Sequence, residues 1–340
     1  MNKLFSIFFV LAVLGNALAV PEYLYPHIHD ITGEEAAHYN FYNFAIHYDK
    51  QYHSTEEFIF RYTVFYNNFL KIVKHNANPN RNFTMGVNHF ADFTQSEFSN
   101  YIHGFNTHAS NVNKGPFYVN HSANLPTHVD WRDNGIVNPI KDQGECGACY
   151  AFSALATLES VLAQKTGKLL DLSEQQVVDC DKKNMGCEGG IMDNVWDWIK
   201  NNGGIEEYDN YHYHGVRGKC LFNKKDAVAQ VAGRINIAPN DEESLLSAVA
   251  RHPVSIAIHA DTEAFQFYSS GVFYDELCDD SAETLDHAMT IVGYGVEDGK
   301  QYWLVRNSWS EDWGEAGYVK IARGGVNTCG ILQNPSYPLV

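Results

Sequence analysis

The sequence predicts an α+β protein of two subdomains preceded by a helical segment. Two observations carry this. Helical apolar spacing governs residues 34–76 and returns between 149 and 201, whereas strand-like apolar runs take over beyond about residue 235. Helices first and strands afterwards, each needing a partner layer to bury its apolar side, is the α+β pattern. A chain of 340 residues holds one large or two medium domains and buries a full core.

Taken in order, residues 1–19 begin with Lys3, continue as LFSIFFVLAVLG and stop at Ala17-Leu18-Ala19. That charged start, apolar centre and small-residue stop read as a secretory signal peptide. A membrane span needs about 20 apolar residues; this run is shorter and has no successor, so the mature protein is expected to be soluble. From Glu34 to Asn76 the spacing predicts two helices broken near Lys50–Thr55, the second capped by Ser54 or Thr55 with Glu56 and Glu57 in its first turn. Along it lie Glu57, Arg61, Phe65, Asn68, Ile72 and Asn76, at intervals that keep them on one face. That face is half polar, where a generic amphipathic helix would be aliphatic. Ten residues further on come Gly86, Asn88, Phe90 and Asp92. Residues 104–124, rich in Asn, Ser, His and Gly, read as an extended, protease-sensitive connector ending at Leu125-Pro126. Asn82 and Asn120 head N-glycosylation sequons.

Beyond Leu125, residues 149–163, 173–179 and 193–201 read as helices, and 254–260, 288–296, 302–309 and 318–323 as strands. The net charge of −17 argues against nucleic acid or an anionic membrane as partner. From Leu125 onward there are 17 Lys+Arg against 32 Asp+Glu, while ten of the sixteen histidines precede residue 125. The seven cysteines all fall in the last two thirds; an odd count in a secreted chain suggests three disulfides and one free thiol, with the pairing left open.

The chemistry concentrates in Gln143–Ser153, QGECGACYAFS. Cys149 starts a helical run, where the macrodipole and unpaired N–H groups favour a thiolate. The Gln143 amide and the Cys149 N–H could both point at a developing oxyanion. A thiolate nucleophile needs a base, and the base an orienter. Of the histidines after Leu125 (128, 212, 214, 252, 259 and 287), His287 directly precedes the strand 288–296, and Asn307 ends another strand.

QGECGACYAFS resembles the nucleophile loop of papain-like cysteine proteases, C-G-[SA]-C-[WY]. The half-polar stripe matches the E-x3-R-x3-F-x2-N-x3-I-x3-N motif of cathepsin L-like propeptides at all six positions. Gly86, Asn88, Phe90 and Asp92 match their G-x-N-x-F-x-D motif, and PTHVDWRDNG resembles the mature N-terminus. The resemblance covers nearly the whole chain after the signal. It implies a papain-like fold, with a helical left domain and a β-barrel-like right domain around a cleft, behind a helical inhibitory propeptide. The implied boundaries are 1–19 signal, 20–124 propeptide and 125–340 catalytic domain, divided near residue 235.

The resemblance also implies disulfides Cys146–Cys187, Cys180–Cys220 and Cys278–Cys329, leaving Cys149 free. It implies a Cys149–His287 ion pair, Asn307 as orienter under Trp309, and Gln143 as oxyanion donor. Substrate would run along Gly189 and Gly190. An S2 pocket of Ile191, Met192, Ala257 and Leu285 would have Asn334 as its floor, with Asp286 beside it. Apolar walls favour Leu, Val or Phe at P2; a polar floor at Asn334 opens the pocket to polar or smaller groups. Ala148, Tyr150 and Ser310 depart from the commoner serine, tryptophan and glycine, and none removes a catalytic atom. No occluding insertion and no propeptide cysteine is present, which favours an endopeptidase.

Implied partners are peptide and protein substrates, the chain's own propeptide and cystatin-like inhibitors, with the enzyme a monomer and no cofactor needed. The implied location is the secretory pathway, leading to a lysosome or an acidic extracellular lumen. Two other classes compete: an inactive papain-like binding protein, which would typically lack the nucleophile, and a metal protein. His27-Ile28-His29 and His212-Tyr213-His214 lack further ligands at metal-site spacing, so no metal is expected. Acid should release the propeptide by protonating carboxylates such as Asp92 or Glu57. Charging its histidines would instead draw it towards the acidic catalytic domain.

Overall fold

Ser54 caps the long N-terminal helix as the sequence pattern indicates, and much of the architecture follows from what that helix holds. The computed structural model describes residues 34–106, 117–122 and 124–340. The signal segment, His27, His29 and connector residues 107–116 lie outside these. The chain divides into two units, 1–52 and 53–340. In the first, helix α1 (Glu34–His47) carries Phe41, stacked on Tyr52 at 5.8 Å, and Phe44, whose ring lies 5.1 Å from the Lys50 ammonium.

The second unit opens with α2 (Thr55–Asn76), where Ser54 Oγ accepts from Glu57 N. Its half-polar face has a physical cause. Phe65, Asn68 and Ile72 are buried, while Arg61 donates to Asp92 O, Asn68 to the carbonyls of Ala91 and Phe93, and Asn76 exchanges two hydrogen bonds with the Met85 backbone. These side chains satisfy the backbone of the irregular stretch that follows, which an aliphatic face would leave bare. Glu57 accepts from His53 N instead; the ion-pair partner of Arg61 is Glu97, at 2.8 Å. Glu97 and Thr94 form a reciprocal capping box at the start of α3 (Gln95–Ile102). Apolar spacing does not announce this short helix, although Thr94-Gln95-Ser96-Glu97 carries the cap pattern.

The helices α4 (Cys149–Thr166), α5 (Glu174–Cys180) and α6 (Met192–Asn202) lie within three residues of their expected bounds. Gly167 ends α4 in the left-handed conformation, its N–H donating to Ala163 O. Two short helices that spacing does not announce, α7 (Glu242–Val249) and α8 (Glu263–Gln266), flank the sheet strands.

The strands are β1 (Phe83–Met85), β2 (Phe117–Tyr118), β3 (Val129–Asp130), β4 (Gly233–Ile237), β5 (Val254–Ile258), β6 (Tyr268–Phe273), β7 (His287–Glu297), β8 (Lys300–Arg306), β9 (Tyr318–Ala322) and β10 (Ser336–Leu339). They join in the order β1-β6-β9-β8-β7-β5-β10-β4-β2, with β3 on β7. The strands β5, β7, β8 and β9 are the four that apolar runs predict. The others are short or polar and gain strand conformation from pairing. Residues 104–124 are therefore more than a connector: β2 pairs in parallel with β4, just as β1 pairs antiparallel with β6. The N-terminal segment supplies both edges of the sheet.

Two cores result. One lies against the sheet, around Ile256, Phe265, Trp303, Trp309 and Trp313, and takes in Phe90, Phe98 and Ile102 from the N-terminal segment. Each such Phe, fully buried, contributes about 1.5–3 kcal/mol of apolar burial. The other surrounds α4 and α6 through Leu155, Leu158, Val195, Trp196 and Ile199. Disulfides join Cys146–Cys187, Cys180–Cys220 and Cys278–Cys329, the pairs that the resemblance implies, and Cys149 is free and buried.

Candidate active site

Cys149 is the first residue of α4, and a disulfide at Cys146 ties down the loop before it. Gly147 N donates to Cys187 O at 2.9 Å. Only glycine fits there, because a Cβ would lie 2.5 Å from Cys187 O and 2.7 Å from His103 O. Ala148 takes the N-cap position with no side-chain cap, and Tyr150 OH donates to Gly186 O at 3.0 Å. Gln143 is fully buried. Its N–H donates to Ser308 O at 2.9 Å, its Oε1 accepts from Ser308 Oγ at 2.7 Å, and its Nε2 donates to Cys146 O at 3.1 Å. The carboxamide nitrogen thus faces the loop that leads to Cys149, with a second N–H to give.

Pairing of β5 with β7 sets Ile258 opposite His287 and Ala257 opposite Ala288. Ala288 N donates to Cys149 Sγ at 3.3 Å, which brings the start of β7 onto the thiol. His287 Nε2 lies 2.8 Å from Asn307 Oδ1, just past β8, and that oxygen also accepts from Ser308 N. An accepting oxygen puts the proton on Nε2 and leaves Nδ1 as the free acceptor; Nδ1 is buried with no hydrogen-bond partner. The Trp309 ring covers His287 with centroids 4.5 Å apart, and itself packs edge-on against Phe90, Phe98 and Trp313.

Gly104 lies on this thiol. A Cβ at that position would sit 2.5 Å from Cys149 Sγ. Gly104 N and Phe105 N donate to Asp286 O at 3.3 and 3.0 Å, Gly190 N donates to Gly104 O at 3.0 Å, and Asn106 N donates to Gly190 O at 3.1 Å. Phe105 and Gly190 form a parallel bridge. Gly190 carries no Cβ because one would meet the Asn184 side chain at 2.5 Å, and Gly189 has a φ of +101°. The Gly104 carbonyl accepts from Gly190 N rather than from Gln143. Phe105, 5% exposed, joins the apolar cluster that contains Ile191, Met192, Ala257 and Leu285. Asn334 is buried, and its Oδ1 has no hydrogen-bond partner. The Asp286 carboxylate accepts from Ala260 N and Asp261 N, so this residue meets the cleft through its carbonyl.

This cover sets the ionisation. Burial pushes the Cys149 thiol up to about 12, against the pull of the Ala288 N–H and with the Asp286 charge adding to the rise. Burial also takes His287 down to about 4, against the bond to Asn307. A helix start alone favours a thiolate; here the exclusion of water wins, and both groups are neutral.

Ser308, Gly104, Phe105 and the Ala288 amide escape sequence reading. Ser308 stands between two flagged residues, but its bond to Gln143 spans 165 positions. A glycine followed by an aromatic carries no signal by itself. Among the described residues, no group of three His, Cys, Asp or Glu could hold a metal ion, and no helix is long and apolar enough to cross a membrane.

A thiol at a helix start, an imidazole–carboxamide pair beside it and a segment lying on the thiol are the features of a cysteine protease in its blocked form. Residues 125–339 match the papain family cysteine proteases, and residues 41–98 match the cathepsin propeptide inhibitor domain. A cathepsin L-like peptidase of Aedes aegypti is 44% identical over 312 residues, covering 87% of this chain and 91% of its own. Procathepsin L of Rattus norvegicus is 39% identical over 337 residues, 96% of each chain. The solved digestive procathepsin L2 of Tenebrio molitor larval midgut has a TM-score of 0.85 at 35% identity, over 89% of this chain and 100% of that one. The chain belongs to the papain family of cysteine proteases. It is a cathepsin L-like endopeptidase zymogen, and its propeptide domain is the inhibitor of its own protease.

Proposed function

We propose that Cys149 is the nucleophile and His287 the proton carrier of this endopeptidase, and that the segment around Gly104 must leave before either can act. The observation that carries this is Gly104 seated on Cys149 Sγ beside the His287–Asn307 pair. Once water returns, the helix start favours the thiolate and His287 takes its proton through Nδ1. Sγ attacks the scissile carbonyl carbon, and the carbonyl oxygen takes up negative charge. Gln143 Nε2 and the Cys149 N–H donate to that oxygen, each worth roughly 3 kcal/mol. His287 gives its proton to the departing amine, then draws one from the water that hydrolyses the thioester. Asn307 holds the ring while Trp309 shields their hydrogen bond.

In this reading Gly190, with Gly189, pairs with the substrate backbone, as it pairs with Phe105 here. Ile191, Met192, Ala257 and Leu285 receive an apolar P2 side chain in place of Phe105. Asn334, whose Oδ1 lacks a partner, adds tolerance for a P2 group that can donate. Residues 1–19 are the signal, 20–124 the propeptide and 125–340 the catalytic domain, divided near residue 235. The enzyme acts as a monomer in an acidic secretory or lysosomal lumen and is open to cystatin-like inhibitors. Asn82 and Asn120 carry glycans that are lost with the propeptide.

The test is acid incubation of the purified zymogen beside Cys149→Ala, followed by peptides varied at P2. Conversion to a form starting near Leu125, with thiol-sensitive cleavage that the variant lacks, is the expected result. Cleavage surviving in Cys149→Ala would overturn the assignment.

A further inference from the structure

Asp261 carries a carboxylate that α3 covers. Phe105 fills the acyl-side pocket and Gly104 crosses the thiol, so the chain preceding Gly104 covers the opposite side. That stretch is α3, whose Phe98 and Tyr101 rings lie 5.7 and 6.3 Å from Trp309. Ser99 Oγ donates towards both carboxylate oxygens of Asp261, each at 2.8 Å, and Gln95 Nε2 donates to Oδ1 at 2.6 Å. Ser99 and Gln95 are one turn apart, so a single face of α3 supplies all these donors. Asp261 in turn is tied to the catalytic strand: its N–H donates to Asp286 Oδ2, one residue before His287.

No ion pair involves Asp261 among the described residues, and α3 meets it with neutral donors only. The neighbouring Glu263 is held by Lys71 of the propeptide, so conversion frees both carboxylates together. Ser99 is five residues from Gly104. The helix ends at Ile102, so Asp261 is masked about one turn before the backbone leaves α3 for the thiol.

We infer that Asp261 selects a cationic side chain on the leaving side of the scissile bond, and that the Gln95–Ser99 face of α3 hides this preference in the zymogen. The inference rests on the roles proposed above for Cys149 and the Phe105 pocket. A cation on the substrate replaces the donors of α3, a neutral residue leaves Asp261 to water, and an acidic one meets like charge.

The full chain is matured by acid and its active sites are counted with a thiol-directed covalent inhibitor. It is then given peptides with one acyl side and Lys, Arg, Gln or Glu at the first two leaving positions. The expected kcat/KM for Lys or Arg exceeds that for Glu by about tenfold at low salt, shrinking as ionic strength rises. In Asp261→Asn the ratio falls to within about twofold of unity, and in Asp261→Lys it inverts. A ratio near unity in the unaltered enzyme, or one unmoved by Asp261→Asn, overturns the inference. Failure to cut any of the peptides would sink the catalytic roles themselves and this inference with them.

Discussion

Gly104 has no room for even a methyl group, because a Cβ there would sit 2.5 Å from Cys149 Sγ. Overpacking of this kind costs about 1–3 kcal/mol. Gly104→Ala should therefore raise the open fraction of the zymogen by about 5- to 160-fold. The readout is alkylation of Cys149 in unprocessed protein at pH 7: slow in the unaltered chain, where burial keeps the thiol neutral, and faster in the variant. An unchanged alkylation rate would mean that Gly104 is not the block. Ser310 is a second residue-level case, with a φ of +62° that favours glycine. Its hydroxyl accepts from Asp312 N, an exposed bond that offsets little of the strain. Ser310→Gly should stabilise the protein by about 0.5–1 kcal/mol, read as a rise in thermal midpoint.

Among the elements, α2 and α3 are joined by Arg61 and Glu97. Burial works to raise the Glu97 carboxyl, but hydrogen bonds from Arg61 and Thr94 outweigh it and hold the group below its ordinary 4.5. With the folded value below the unfolded one, the stabilisation is present above 4.5 and is lost as pH falls through the folded value. Glu97 is about a third exposed, so the pair contributes only about 0.5–1 kcal/mol. Glu97→Gln removes it at every pH, and should raise the midpoint pH of self-processing by about half a unit. An unmoved midpoint would rule this pair out as an acid latch. His121 behaves oppositely. Its bond to Asp241 raises its pKa, so that contact is fully present below the ordinary 6.5 and is lost as pH rises through the raised value. Charging this histidine strengthens the link between the segment after β2 and the start of α7 at mildly acid pH.

For the molecule as a whole, buried carboxyls tune stability towards acid. Burial raises Glu174 to about 7, against the Lys141 charge, and Asp286 to about 7 and Asp181 to about 6, each against backbone N–H donors. Folded values above unfolded ones mean that the contribution of these three groups is full below about pH 4 and declines as pH rises through 6–7. The thermal midpoint of the zymogen should fall by on the order of 5 °C between pH 5 and pH 8; a rise would contradict the assignment. The sheet gives a further readout. Its edges β1 and β2 both precede the matched protease domain, β2 within the segment proposed to be removed, and Ala238 N donates to Tyr118 O. After conversion this amide should exchange hydrogen faster.

The sequence by itself determined the starts of α2, α4, α5 and α6 and the four apolar strands, and it singled out Cys149, Gln143, His287 and Asn307 as the set proposed to react. Those features rest on local physics: a cap residue, a 3.6-residue period, a thiol at the head of a helix. It also carried the half-polar face of α2, though not the reason for it. Tertiary structure alone decided that Arg61 pairs with Glu97, that Gly104 lies on the thiol with Phe105 in the apolar cluster beside it, and that Asp261 is covered by α3. It also decided the charge state of Cys149 and His287. A partner 36 positions away or a shift in pKa depends on packing and on the exclusion of water, and neither exists until distant segments have met.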